Sequence, residues 1–111
     1  MRPVNPAIER LLAEYRELLV EKLGDRLIRL TLFGSYARGE ARNDSDVDVA
    51  VILDRIDCHA DRTLPMELAG DLIVEHAIVI MPLVLSVTEL DFLHQREDLL
   101  AENLDRDGIA V

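Results

Sequence analysis

Apolar residues recur every three to four positions at the start of the chain, at Ile8, Leu11, Leu12, Tyr15, Leu18, Leu19 and Leu23. That period places them on one stripe of a helix. Asn5 is positioned to cap it, Pro6 suits a first turn that has no use for its missing N–H, and Gly24 ends it. The period then changes to two. Residues 26–33 read as a strand with Ile28, Leu30 and Leu32 on one face, stopped by Gly34-Ser35. A polar stretch follows over 36–45. Residues 46–53 then alternate cleanly, with Val47, Val49, Val51 and Leu53 facing one way and Asp46, Asp48, Ala50 and Ile52 the other.

Residues 54–60 read as a loop, and Leu64, Leu68, Ala69, Leu72 and Ile73 as a helix with Pro65 near its start. Residues 77–87 form a third strand, apolar on both faces, in which Pro82 points to an edge position or a bulge because it cannot donate to a ladder. Thr88-Glu89-Leu90-Asp91 resembles a capping box opening further helix to about residue 105, and Gly108 releases the chain into Ile109-Ala110-Val111. A helical crossover between the second and third strands makes those two parallel. The first and second should be neighbours. The expected fold class is therefore α/β (α+β): a small mixed sheet of at least three strands, with helices on one side and across its ends. At 111 residues there is room for one core, and a single domain over 1–111 is expected.

Composition narrows the function more than the fold. Half of the residues are apolar, which argues against disorder. Twelve basic residues face 22 acidic ones, for a formal charge of -10. Such a balance disfavours direct nucleic-acid binding, which needs a basic surface. It suits recruitment of divalent cations or a basic protein partner, although solubility alone would also account for it. The single cysteine, Cys58, excludes an intrachain disulfide and a cysteine zinc cage. No apolar run is long enough for a signal peptide or membrane span, so no membrane association and a cytoplasmic location are expected.

The chemistry concentrates between Thr31 and Leu53. Asp46 and Asp48, two apart on a strand, stand on the same face roughly 7 Å apart at their Cα atoms. Two such carboxylates repel and lose solvation at the mouth of a buried strand, a conflict that a hard divalent cation removes. Two solvated aspartates opening a strand would look the same in sequence. Gly34-Ser35 adds backbone N–H groups and a hydroxyl at the end of the neighbouring strand, donors suited to phosphate, although glycine and serine are also ordinary loop punctuation.

The combination is far more specific than its parts. Gly34-Ser35, Gly39, and then Ser45-Asp46-x-Asp48-x-x-Val51 resemble the defining motif of the DNA polymerase beta-like nucleotidyltransferase superfamily. The wording GSYARGEARNDSDVDVAV is similar to its minimal nucleotidyltransferase (MNT) family. The motif covers 18 of 111 residues, and the element order around it agrees. The resemblance implies the nucleotidyltransferase fold, with Gly34 and Ser35 as phosphate contacts and Asp46 and Asp48 as metal ligands and catalytic residues. The catalytic metal would be Mg²⁺ or Mn²⁺, and a pair of such ions would activate the attacking oxygen and stabilise the departing pyrophosphate. Ser45 would support the turn or touch a phosphate. Arg38 and Arg42 would neutralise a triphosphate, unless they simply solvate the loop.

The resemblance also implies transfer of a nucleoside monophosphate, AMP from ATP, to a hydroxyl on a partner protein. MNT proteins act as antitoxins of HEPN-domain toxins. One departure stands against full activity. Active members of the family carry a third carboxylate on the following strand, and its place here falls at Met81 or at Leu83, depending on the end from which the strand is aligned. Neither is acidic. The alternative is a catalytically impaired antitoxin that neutralises its partner by binding alone. Its docking surface would be sought among Leu90, Phe92, Leu93, Leu99 and Leu100, a stripe that an amphipathic helix more often buries. His59, His76 and His94 share no spacing that suggests a metal site, and Cys58 beside His59 carries little weight as a catalytic pair.

Overall fold

The computed structural model describes residues 5–42 and 45–111. Residues 1–4, within the expected domain bounds, and Asn43-Asp44, within the polar stretch, lie outside the described residues. Helix α1 spans Pro6–Leu23, and the Asn5 side chain accepts from the Ala7 N–H at 2.8 Å, the cap that its sequence anticipates. A short 3-10 turn leads into β1, Leu27–Phe33, followed by the single-turn helix α2, Ser35–Arg38. Strand β2, Val47–Leu53, precedes helix α3, His59–His76, and strand β3, Ile80–Ser86. Helices α4, Val87–Gln95, and α5, Leu99–Asp107, come next, and a short strand β4, Ile109–Ala110, follows.

The sheet order is β3-β2-β1-β4, with β2 and β3 parallel and the other pairs antiparallel. The α3 crossover thus makes its two strands parallel as expected, and β3 holds Pro82 on the edge that a proline tolerates. Strand β4 was not legible. Two residues cannot show a period, and they are held by β1 through Leu32–Ile109 and Thr31–Ala110 pairing.

Alternation along β2 sends Val47, Val49, Val51 and Leu53 into the main core with Leu30 and Leu32, against Ile8, Leu11, Tyr15 and Leu19 of α1 and Leu68 and Leu72 of α3. Ala50 and Ile52 point the other way and pack with Leu85, Leu90 and Leu104. Helices therefore cover both faces, not one side and the ends. The second layer forms because α4 and α5 fold back over that face of β1, β2 and β3. The stripe proposed on these helices is divided: Leu90 is buried and Leu93 and Leu100 pack into the second core, while Phe92 and Leu99 stay exposed. Ile28 is also exposed, contrary to the alternation of β1. The register slips between Leu27 and Arg29, and Leu27 packs on the main core instead.

Two helix starts differ from expectation. Helix α3 begins at His59, so Pro65 lies inside it. No side chain caps this end from Cys58, which removes the usual sequence signal. The buried Asp61 carboxylate organises the first turn instead, taking the Asp57 N–H at 2.8 Å and the Arg26 guanidinium at 2.9 and 3.0 Å. The Tyr15 hydroxyl donates to the Pro65 carbonyl at 2.7 Å within the core. Helix α4 is capped by Ser86 rather than Thr88. Its hydroxyl accepts from the Glu89 N–H, and the Glu89 carboxylate accepts from the Ser86 N–H, both at 3.0 Å. This box turns strand directly into helix, and Ser86→Ala should cost about 1 kcal/mol of unfolding free energy in a denaturant melt. Among the described residues no helix is long and apolar enough to cross a membrane.

Candidate functional site

Antiparallel pairing brings the end of β1 beside the start of β2. Phe33 is registered with Asp48, so Gly34-Ser35 and the aspartate pair meet at one end of the sheet. The contact is close. Gly34 has φ 75° and ψ -153°, a conformation open essentially to glycine, and its bare α-carbon faces the Asp48 carboxylate. A Cβ at residue 34 would strike Asp48 Oδ2 and lie 3.2 Å from its Cγ. Gly34 is thus required both by its backbone conformation and by the carboxylate beside it.

Ser35 opens α2, whose internal bonding starts with the Arg38 N–H donating to the Gly34 carbonyl at 3.1 Å. Ala37 is buried and Tyr36 packs on the main core, which anchors this single turn. Gly39 closes it in the left-handed conformation. At the other end of the polar stretch, Ser45 faces back on the chain. Its hydroxyl accepts from the Arg42 N–H at 2.8 Å, and its own N–H donates to the Arg42 carbonyl at 3.0 Å. These two bonds tie Ser45 to Arg42 just ahead of Asp46. The Val47 N–H donates to the Val79 carbonyl at 2.8 Å, and the β2 ladder starts there, so Asp46 stands one residue before the strand.

Asp46 is exposed and Asp48 half-buried. Helices α4 and α5 pack on Ala50 and Ile52 farther along the same face. Partial burial raises the Asp48 pKa, the Asp46 charge raises it further, and Arg38 opposes both. Asp46, Asp48 and Arg38 are therefore electrostatically linked, with Gly34 in steric contact with Asp48. Arg38 also pairs with Glu40 at 3.1 Å, whereas Arg42 joins the site through its backbone, with its side chain exposed. Hard carboxylate oxygens suit Mg²⁺ or Mn²⁺, and the space left by Gly34 lets Asp48 occupy the junction. The donor set fits such an ion.

The structure also resolves which residue lies beside the pair on β3. Parallel register sets Met81 against Asp48 and Leu83 against Ala50. Elsewhere, His76 Nε2 lies 2.7 Å from Glu14 Oε2, with Glu75 nearby, and ties α3 to α1. His94 Nε2 meets Asp105 Oδ2 at 2.9 Å between α4 and α5. Neither pairing has a signal in local spacing, because each joins residues distant along the chain.

The nucleotidyltransferase domain family matches residues 12–100, spanning the motif and most of the fold. A Methanocaldococcus jannaschii protein named for an inferred protein adenylyltransferase activity is 30% identical over 81 residues, covering 73% of this chain and 82% of that protein. The protein adenylyltransferase MntA of Thermococcus cleftensis is 45% identical over 49 residues, 44% of this chain and 48% of MntA. In three dimensions the chain resembles a chain of a toxin–antitoxin crystal structure with AMP-PNP. The TM-score is 0.60 at 21% identity, covering 92% of this chain and 70% of the other. That likeness supports the fold. With the motif residues joined at one end of the sheet, the chain belongs to the nucleotidyltransferase domain family, as a nucleotidyltransferase of its minimal, MntA-like branch.

Proposed function

We propose that this protein transfers AMP from ATP, with Mg²⁺ or Mn²⁺, to a hydroxyl of a partner protein, and that it serves as the antitoxin of a HEPN-type toxin. The observation that carries the reading is the junction of Asp46 and Asp48 with Gly34-Ser35. It brings two metal-competent carboxylates beside the Gly34-Ser35 turn that opens α2, whose N–H groups and hydroxyl are of the kind that takes phosphate oxygens. A divalent cation bound there with ATP would polarise the phosphoryl oxygens and offset the charge of the departing pyrophosphate. Asp46 and Asp48 would hold it, Gly34 and Ser35 would contact the phosphates, and Arg38 would add positive charge. The Ser45–Arg42 turn fixes the chain just before Asp46. In the transfer, the acceptor oxygen bonds to the α-phosphorus and the bond to the β-phosphate oxygen breaks. Pyrophosphate leaves with that electron pair, and the hydroxyl proton is released. The formal charge of -10 favours a protein over a polynucleotide acceptor. The names of the relatives and the nucleotide in the related toxin–antitoxin crystal support the same choice.

The test is incubation with ATP labelled at the α-phosphate, Mg²⁺ and a HEPN-domain toxin as the partner. Label should appear on the partner, be absent when the label is at the γ-phosphate, and be lost with Asp46→Asn. An unlabelled partner, or undiminished labelling by the variant, sinks the proposal. Full protection of cells by Asp46→Asn at matched expression would instead show neutralisation by binding alone.

A further inference from the structure

Asp48 has one directly registered neighbour on each side in the sheet: Phe33 on β1 and Met81 on β3. Directly paired residues of adjacent strands share a face, with strands about 4.8 Å apart. The row across this end of the sheet is therefore Phe33, Asp48, Met81. Neither flanking strand offers an anionic oxygen at that level. Among the described residues, no third Asp, Glu, His or Cys gathers with Asp46 and Asp48 within metal-ligand range. We infer that the carboxylate pair holds one divalent cation, the ion that accompanies the nucleotide, and that Met81 is the residue that withholds a second site.

The inference rests on the metal–nucleotide reading of this site and makes it more specific. Two carboxylates match the charge of one divalent ion. A second such ion a few ångströms away would repel the first and needs its own anionic ligands to be held. A thioether does not supply them, because Mg²⁺ and Mn²⁺ take oxygen ligands and the Met81 sulfur is soft. The side chain of Met81 is half-exposed, so a carboxylate placed there meets solvent and the cation site rather than the packed core. This differs from Leu83, one step deeper, which sits beside Ala50 and packs in the second core.

The experiment counts Mn²⁺ retained per molecule of a non-hydrolysable ATP analogue retained, by equilibrium dialysis at saturating metal. The wild-type chain should hold one. Met81→Asp and Met81→Glu should each hold two, and Met81→Asn, of similar shape without charge, should stay at one. Two ions per nucleotide on the wild-type chain overturn the inference and leave the proposed function standing, whatever the variants do. A count that stays at one in both acidic variants, with circular dichroism unchanged, also overturns it. Failure of the wild-type chain to retain any cation with the nucleotide refutes the reading of the site itself, and the inference with it.

Discussion

Asp46→Asn and Asp48→Asn should each weaken binding of the Mn²⁺ complex of a non-hydrolysable ATP analogue by about 100-fold or more, with the fold intact. Residues that merely support a metal ligand contribute about 10–100-fold in affinity, so removal of a direct ligand belongs at or beyond the upper end. Neither side chain holds up the core: Asp46 is exposed and precedes β2, and Asp48 lies at the open end of its face. Titration calorimetry measures the loss, and affinity within about threefold of the parent would refute the assignment. The stability effect should run the opposite way from the binding effect. Burial and the Asp46 charge raise the Asp48 pKa, so the folded chain holds that proton more tightly than the unfolded chain. Ionisation of Asp48 therefore works against the metal-free fold. The penalty is absent below the ordinary aspartate range and complete above the raised value. Metal-free Asp48→Asn should thus be at least as stable as the parent at neutral pH, with its advantage disappearing in acid. For the same reason, cation–nucleotide affinity should begin to fall, as pH is lowered, earlier than an ordinary exposed aspartate would require.

Gly34→Ala should abolish the same binding through geometry and also destabilise the chain. A side chain at φ 75°, ψ -153° carries about 1–3 kcal/mol of backbone strain. Its Cβ must in addition displace the Asp48 carboxylate. Moving a ligand by this much should cost nucleotide–Mn²⁺ affinity as severely as deleting it. Gly39 provides the control. It also has φ 75°, but ψ is 21° and a Cβ there meets nothing within 4 Å. Gly39→Ala should lose about 1 kcal/mol from the left-handed conformation and keep its affinity. Comparable binding losses in the two variants, with similar melts, would show that the contact with Asp48 is not what matters at residue 34.

Much of this molecule can be read along the chain because its signals are local. Helix α1 carries its cap and its apolar stripe within 20 residues, and β2 displays a period of two through seven residues. The Gly34–Val51 motif is legible because part of its geometry is local, a glycine at positive φ and a Ser45 hydroxyl that accepts from the Arg42 N–H, while the approach of Gly34 to Asp48 comes from the β1–β2 pairing. What depended on distant parts of the chain was decided only in three dimensions. The slip that exposes Ile28 is a property of β1 against β2, not of β1. Strand β4 exists because β1 has a free edge, and Ser86 caps α4 because β3 ends where that helix begins. The two-sided layering followed from the return of α4 and α5 over the face that Ala50 and Ile52 present. Residue types nominate Asp46 and Asp48, but sequence leaves Met81 and Leu83 equally placed beside them. Parallel pairing chose Met81: the two candidates share a face of β3, so only the long-range hydrogen bonding of β3 to β2 fixes which of them lies level with Asp48.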